Sequence, residues 1–252
     1  MLYPNTMEEQ KIIMQAEEAN KGYVKVQSLL QNPELPNGCE IVSLTAVLNY
    51  YGYAVSKTEM ADTYLPKQDF EWKNDKKIGP NPYITYAGNP RSNTNGWYSF
   101  APPLVKATEN YMKTQENKMI AMDVSGSTID ELQNYIIEGK PVVVWVTLDL
   151  STPRLNSNWY IKDSGEYQAY TNLHVVVLHG FNEETGVVYA MNPLVGHVQY
   201  EMDKFFTSYE EMGKHALMLV ENKFETDPDQ VKIIFKSLYN LNKSSFFGAE
   251  GN

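Results

Sequence analysis

The spacing of hydrophobic residues is helical in the first half of the chain. The segment CEIVSLTAVLNYY at residues 39–51 has apolar side chains three or four positions apart, and Gly52 follows it. This pattern predicts a largely buried helix that ends at the glycine. Comparable spacing predicts further helices over residues 57–64, 104–112 and 128–138, the last with the sequence of an N-terminal capping box.

Strand-like patterns dominate the second half. The apolar run PVVVWVTL at 141–148 predicts a buried strand. The segments LHVVVLHGF at 173–181 and VVYAMN at 187–192 are separated by a short loop that contains glycine, which predicts a β-hairpin. A short helix at 203–209 and a last strand at 216–220 follow. Because helices come first and strands later, the order favours an α+β fold over alternating βαβ units.

The chain before the first helix and a long stretch after it are less regular. A strand is predicted at 23–30, with Val24 and Val26 on one face. The loop at 31–39 contains two prolines and an Asn-Gly pair. Residues 65–103 are rich in Pro, Asn, Gly and aromatic side chains. A loop of this length in a compact domain is usually functional or disordered, and the aromatic content argues against disorder.

These segments define the expected domain organisation. A chain of 252 residues suits one domain of good size. We expect a lead-in segment at 1–22 with a helix near 9–20, one domain over 23–226 with an aromatic-rich insertion at about 65–103, and a polar tail at 227–252.

Charge limits the partners of the protein. The formal net charge of −10 opposes binding to nucleic acid or to an anionic membrane surface, whereas a basic peptide or a glycan fits it. The longest apolar run is too short to span a bilayer, so no membrane insertion is expected. The N-terminus lacks the basic start and apolar stretch of a signal peptide. We expect an extracellular or cell-surface location after removal of a signal, with a cytoplasmic location as the alternative. The sequence indicates no oligomeric state.

Cys39 is the first candidate for chemistry. It is the single cysteine of the chain and lies where the irregular loop becomes the first helix. The free amides and the dipole of a helix N-terminus favour a thiolate, and Gly38 leaves room for a substrate backbone. The alternative is an inert cysteine buried in the core.

A reactive thiol needs a base, and the hairpin favours one of the four histidines. If Phe181 lies opposite Val187, Asn192 lies opposite position 176. His174 then shares a face with Asn192 as its diagonal neighbour, whereas His179 points to the other face. A slip of one residue in the register would undo this arrangement, and a purely structural histidine is the alternative.

Several segments carry the motifs of a known family. They are LPNGCE at 35–40, GWYSFAPPL at 96–104, GKPVVVW at 139–145, HVVVLHGF at 174–181 and NPLVG at 192–196. With these motifs the chain resembles the bacterial C39-like cysteine peptidases, which are papain-like, stand-alone relatives of the bacteriocin-processing double-glycine peptidases. The resemblance covers about residues 24–220. Its most specific part is LPNGCE.

The resemblance implies a papain-like peptidase fold, with the helix of the nucleophile packed on an antiparallel sheet that carries the base and its partner. It implies that Cys39 is the nucleophile, His174 the general base and Gln31 an oxyanion-hole residue with the backbone N–H of Cys39. Asn192 takes the orienting position, where this family more usually has Asp. Glu40, within the LPNGCE motif, is interpreted as a structural residue of the helix start.

The implied reaction is cleavage of peptide bonds through an acyl-enzyme intermediate on the thiol. The substrate is then a peptide or a protein. No metal or other cofactor is expected, because the histidines lack a His-x-x-x-His pair with acidic partners and a lone cysteine excludes a cysteine-rich zinc site.

Two alternatives remain. The same residues would serve an acyltransferase, in which an amine resolves the thioester. The chain could also be an inactive peptide- or glycan-binding module on the same fold, with the aromatic stretch between Phe70 and Phe100 as its recognition surface.

Overall fold

The computed structural model describes Met7, Lys11 and residues 22–116 and 118–222. The chain forms two compact units, Met1–Val220 and Glu221–Asn252. Apart from Met7, Lys11 and Gly22, the predicted lead-in segment lies outside the described residues, and so does the tail at 227–252.

The helices of the described chain match the predicted positions closely. They are α1 (Cys39–Tyr50), α2 (Lys57–Glu59), which continues as a π-helical turn (Met60–Tyr64), α3 (Ala101–Met112), α4 (Ile129–Ile137) and α5 (Met202–Glu211). Helix α3 begins three residues before the predicted start at 104, because prolines fit the first turn of a helix, where amides lack intrahelical partners.

Helix α1 is the central helix, and its predicted end and burial are confirmed. All residues from Cys39 to Leu48 are buried, so the helix is covered on every side. Gly52 has a φ of +90° and donates its amide to the carbonyl of Asn49, as expected of a glycine that ends a helix. The capping box of α4 is also confirmed, with Thr128 as its N-cap.

In the described part of the chain the main sheet has six strands, in the order β11-β10-β9-β6-β12-β5. These strands are β5 (Met119–Asp123), β6 (Val142–Thr147), β9 (Leu173–Asn182), β10 (Val187–Asn192), β11 (Gly196–Glu201) and β12 (Ala216–Glu221). The pairs β11–β10, β10–β9, β9–β6 and β6–β12 are antiparallel. Helix α1 packs against β9, β6 and β10. The predicted α+β class is therefore confirmed.

The predicted irregular stretch at 65–103 contains short strands. They are β1 (Lys67–Gln68), β2 (Glu71–Lys73), β3 (Lys76–Gly79) and β4 (Tyr86–Ala87). Strands β2 and β3 join β7 (Ser157–Ile161) and β8 (Gly165–Ala169) in a four-stranded sheet, with order β2-β3-β7-β8. The interpretation as a loop was wrong here, because β3 finds its partner β7 about 80 residues away, between Ile78 and Tyr160.

The strand predicted at 23–30 is also wrong. Only Tyr23 forms a β-bridge, to Gly180, and the following residues make no ladder. Strand β6 pairs with β9 only as far as Leu178. The short edge of β9 beyond Leu178 is occupied by residues 22–24. The predicted alternation is confirmed, because Val24 and Val26 are both buried.

The β9–β10 hairpin differs from prediction at its turn and agrees with it at the other end. Phe181 lies opposite Val188, one residue away from the predicted pairing. A register shift after Tyr189 corrects this offset, so that Met191 lies opposite Val177. Asn192 follows Met191 directly, and the predicted proximity of His174 and Asn192 is preserved.

Candidate active site

Cys39 is the first residue of α1 and lies in a tightly packed corner. Its side chain is buried, with 9% of the residue exposed. Gly38, the N-cap residue, has no room for a side chain, because a Cβ there would lie 2.7 Å from the Cβ of Leu35. The glycine before the cysteine is therefore required by packing against Leu35 within the loop.

The thiol of Cys39 is in its neutral form in this setting. Burial raises the pKa of the thiol well above its ordinary value, and the neighbouring Glu40 carboxylate raises it further. The thiol donates to Glu40 Oε2, with a distance of 3.4 Å from Sγ. Desolvation therefore opposes the preference for a thiolate that is expected from the helix N-terminus.

His174 and Asn192 form a hydrogen-bonded pair. His174 Nε2 lies 2.9 Å from Asn192 Oδ1, and both residues are buried. The amide of Asn192 is fixed by two further bonds. Its Nδ2 donates to the hydroxyl of Tyr200, and its Oδ1 accepts from the backbone N–H of Leu194, both at 2.9 Å. Because Oδ1 can only accept, His174 carries its proton on Nε2 and leaves Nδ1 unprotonated.

Burial also keeps His174 neutral. It lowers the pKa of the imidazole to about 4, and the hydrogen bond to Asn192 opposes this shift only in part. The resting pair is therefore a neutral thiol and a neutral imidazole with a free acceptor nitrogen. Such a base can remove a proton as the thiol attacks, without a preformed ion pair.

Helix α1 is attached to β9 next to His174. Ser43, one helical turn after Cys39, donates its hydroxyl to the backbone carbonyl of Val175 over 3.3 Å. Cys39 also faces the backbone of Val175, which lowers the pKa of the thiol slightly. Cys39 and His174 thus lie at the same contact between helix and strand. In the part of the chain that the structure describes, no hydrogen bond joins the Cys39 thiol directly to His174.

Gln31 lies in the loop that leads to Cys39, and it is 3% exposed. Its Nε2 donates to the carbonyl of Pro36 over 2.6 Å, and its backbone N–H donates to the carbonyl of Pro193 over 2.7 Å. The residue therefore links the loop before the cysteine to the segment just after Asn192. One N–H of its side-chain amide remains for another acceptor.

Lys57 holds this loop in place, which the sequence did not indicate. Its ammonium donates to the carbonyls of Leu30 and Gln31, at 2.5 and 3.1 Å. It also forms an ion pair with Glu34, with a distance of 2.7 Å. These contacts fix the backbone on which Gln31 lies.

The other buried histidines lie away from the His174–Asn192 pair. His179 Nδ1 lies 3.0 Å from the carbonyl of Val24, and its Nε2 lies 3.2 Å from His197 Nδ1. His197 pairs with Met191 on β10, whereas Asn192 pairs with Gly196. The histidine pair is therefore on the opposite face of the sheet, as predicted for His179.

A cavity of about 270 Å³ adjoins the site. Two of its lining residues are neighbours of the site in the chain. Asn37 precedes Gly38 and Cys39, and Leu173 directly precedes His174. The remaining wall comes from the aromatic stretch and from the segment before β9, with the residues Asn93, Thr94, Gly96, Trp97, Tyr98, Tyr170 and Thr171. Aromatic faces and amide groups together are suited to an extended peptide or to a sugar ring.

No group of three or more His, Cys, Asp or Glu side chains among the described residues is arranged to hold a metal ion. In the same part of the chain, no helix combines the length and the hydrophobicity needed to cross a membrane.

The helix that begins at Cys39 packs against a mainly antiparallel sheet that carries the histidine–asparagine pair, and this mixed helix–sheet fold is the one found in C39-like peptidases. The model of the Peptidase_C39 like family matches residues 23–217. The chain belongs to this family, which supports a peptidase-type function.

Two relatives show how far the similarity extends. The uncharacterized protein YvpB of Bacillus subtilis (strain 168) is 26% identical over 189 residues, which are 74% of this chain and 70% of YvpB. A crystal structure named for a C39-like peptidase from Bacillus anthracis has 28% sequence identity and a TM-score of 0.66. That match covers 79% of this chain and 96% of the other.

Proposed function

We propose that the protein is a thiol-dependent peptidase that cleaves peptide bonds with Cys39, His174 and Asn192. The observation that carries the proposal is the bond of 2.9 Å between His174 Nε2 and Asn192 Oδ1. This bond leaves Nδ1 as the basic nitrogen of His174. The next residue on β9 is Val175, and Cys39 faces its backbone. Nucleophile, base and orienting group are the three parts that acyl transfer by a cysteine requires.

The proposed reaction begins with attack of the Cys39 sulfur on the substrate carbonyl. His174 Nδ1 takes the thiol proton and later gives it to the leaving amine, so that the peptide bond breaks and a thioester remains. The remaining N–H of the Gln31 side chain and the backbone N–H of Cys39 stabilise the oxyanion. Water then hydrolyses the thioester, with His174 as the base.

The proposed substrate is a peptide segment in an extended conformation. The cavity beside the site offers Trp97 and Tyr98 as aromatic walls and Asn37 as a polar group. The acidic chain, with a net charge of −10, favours a basic or neutral peptide over an acidic one.

A pool of diverse peptides tests the proposal, with the products sequenced by mass spectrometry. We expect cleavages that share a sequence pattern and that disappear in Cys39→Ala and in His174→Ala. His215→Gln is the matched control, because His215 is a partly buried histidine that lies against Phe100, outside the proposed triad. Products identical in the wild type and in Cys39→Ala would contradict the proposal. Added amines that appear on the new C-termini would identify an acyltransferase.

The inactive binding module is the second candidate, and two observations favour it. The thiol is buried and protonated at rest, and neutral Asn192 adds no charge that would stabilise an imidazolium. A module of this kind would retain peptides of a defined sequence without cleaving them. Peptide binding that is equal in the wild type and Cys39→Ala, without products, would establish it.

A further inference from the structure

Glu40 is a buried carboxylate that has no counter-ion among the described residues. The residue follows Cys39 in α1 and has no exposed surface. Among the residues that the structure describes, no Lys, Arg or His forms an ion pair with it. A buried charge without a cation is costly, and such residues are rare outside functional sites. The structural role at the helix start that the motif implied does not account for this cost.

The two oxygens of Glu40 have different partners. Oε2 accepts from the Cys39 thiol, at 3.4 Å from Sγ. Oε1 accepts from the backbone N–H of Ser99 at 3.0 Å, and the carbonyl of Ser99 accepts from Trp145 Nε1 at 2.9 Å. The carboxyl group is therefore held rigidly, with one oxygen directed at the nucleophile.

Within the described part of the chain, two titratable groups face this carboxyl group. Cys39 lies on the same helix, and Tyr86 comes from β4. The hydroxyl of Tyr86 donates to the carbonyl of Asn37, and burial raises its pKa well above the ordinary value, so that it stays neutral. Cys39 is therefore the group whose ionisation Glu40 affects most directly.

We propose that Glu40 controls the ionisation of Cys39. As a carboxylate it accepts the thiol proton in a hydrogen bond and repels a thiolate, which keeps the nucleophile at rest. As a carboxylic acid it donates to the sulfur and stabilises the thiolate. This inference rests on the proposed function, because it assigns a role to Glu40 within the same site.

One proton separates the two states. At rest, Glu40 is ionised, Cys39 is a thiol and His174 is neutral. In the active state Glu40 has taken up one proton from solvent, and the thiol proton moves to His174 Nδ1 as the sulfur attacks the substrate. Burial raises the pKa of Glu40 to about 7, so that both states of the carboxyl group are accessible near neutral pH.

The variant Glu40→Gln imitates the protonated carboxyl group. Its amide oxygen can accept from the Ser99 N–H, and its N–H groups can donate to the sulfur. We expect the apparent pKa of Cys39, measured by iodoacetamide labelling across a pH series, to fall in this variant. Labelling at pH 8, about one unit above the pKa of Glu40, should be faster by about tenfold, because only about a tenth of the wild-type carboxyl groups are protonated there. Glu59→Gln, which neutralises an exposed glutamate of α2, should leave the labelling curve unchanged.

An infrared measurement keeps the inference falsifiable if Glu40→Gln does not fold. In protein labelled with carbon-13 glutamate, we expect a protonated carboxyl band at pH 6 that disappears by pH 8.5, whereas exposed glutamates are ionised throughout. The pH at which the band disappears should shift in Cys39→Ala, which removes the partner of Oε2.

Equal labelling curves for the wild type and folded Glu40→Gln would overturn the inference, and so would the absence of a carboxyl band at pH 6. Neither measurement uses peptide turnover. If labelling responds to Glu40 but no peptide is cleaved, the proposed function fails while the control of the thiol stands. If peptides are cleaved but labelling does not depend on Glu40, the proposed function stands while the control of the thiol by Glu40 fails.

Discussion

The side chains of His174 and Asn192 meet across β9 and β10, with His174 Nε2 2.9 Å from Asn192 Oδ1. The asparagine oxygen also accepts from the N–H of Leu194, and its amide nitrogen donates to Tyr200. These bonds leave Asn192 one orientation, and this orientation leaves His174 one tautomer. The contact therefore decides which nitrogen of the imidazole can act as a base.

We expect Asn192→Ala to lower kcat for peptide cleavage by about 10²-fold. Without Asn192 the imidazole of His174 can turn away from the reacting atoms, and such a misplacement costs about 10²-fold in rate. Tyr200→Phe removes only the acceptor of the asparagine amide, so we expect a smaller loss. Steady-state kinetics on the same peptide measure both. Full activity in Asn192→Ala would show that the pair has no part in catalysis.

Asn192→Asp should raise the pKa of His174 from its value of about 4, because a carboxylate stabilises the imidazolium. NMR titration of the His174 ring protons measures this shift directly. We expect Asn192→Ala to move the pKa the other way, since the bond to Asn192 raises it. An unchanged titration in Asn192→Asp would mean that the side chain at position 192 no longer contacts the ring.

Gln31→Ala should lower kcat by about 10²-fold, the usual cost of removing one oxyanion-hole donor. The rate of Cys39 labelling should stay the same, since Gln31 acts on the substrate oxygen. Gln168→Ala, an exposed glutamine of β8, provides the control. A parallel loss of labelling and turnover in Gln31→Ala would assign Gln31 to loop structure instead, because its side chain also bonds to Pro36.

Trp97→Ala should raise KM with little change in Cys39 labelling, because Trp97 lines the cavity beside the site. An aromatic contact of this kind contributes about 1–2 kcal/mol to binding. Trp72→Ala is the matched control, since Trp72 lies on the β2–β3 hairpin and is 74% exposed. Equal KM values for Trp97→Ala and the wild type would place the substrate elsewhere.

The protein should lose stability in acid through the His179–His197 pair. Burial and the nearby His197 lower the pKa of His179 to about 3, against an ordinary value of 6.5. The unfolded chain therefore binds a proton first as the pH falls. The contribution of neutral His179 is complete above pH 6.5 and is lost as the pH falls from there towards 3.

We expect the free energy of unfolding to fall by about 2–4 kcal/mol as the pH falls from 6.5 towards 3. In His179→Gln the free energy of unfolding should depend less on pH. Thermal unfolding across a pH series measures it. His215→Gln serves as the control, because His215 is less buried. Identical pH profiles for His179→Gln and the wild type would show that other groups cause the acid sensitivity.

The elements that the sequence predicted correctly are those whose signal is local. Helix α1 has apolar residues at helical spacing and a glycine at its end, and the β9–β10 hairpin has two apolar strands around a short loop. The contact between His174 and Asn192 followed from that hairpin. It was preserved in spite of the wrong pairing at the turn, because the register shift after Tyr189 compensates for it.

The features that the sequence did not indicate depend on distant partners. Strand β3 pairs with β7 across a long stretch of chain, and neither strand has a distinctive pattern of its own. The role of Glu40 depends on the amide of Ser99, which is 59 positions away. The neutral state of Cys39 depends on burial, which the position at a helix start does not reveal.

The intact mass of the protein, quenched in acid during turnover of a cleaved peptide, tests the proposed mechanism, in which Cys39 carries the acyl intermediate. We expect an adduct equal in mass to the acyl part of the peptide, located on Cys39 by fragmentation and absent from His174→Ala. Cleavage that persists in Cys39→Ala, or an adduct on another residue, would contradict it.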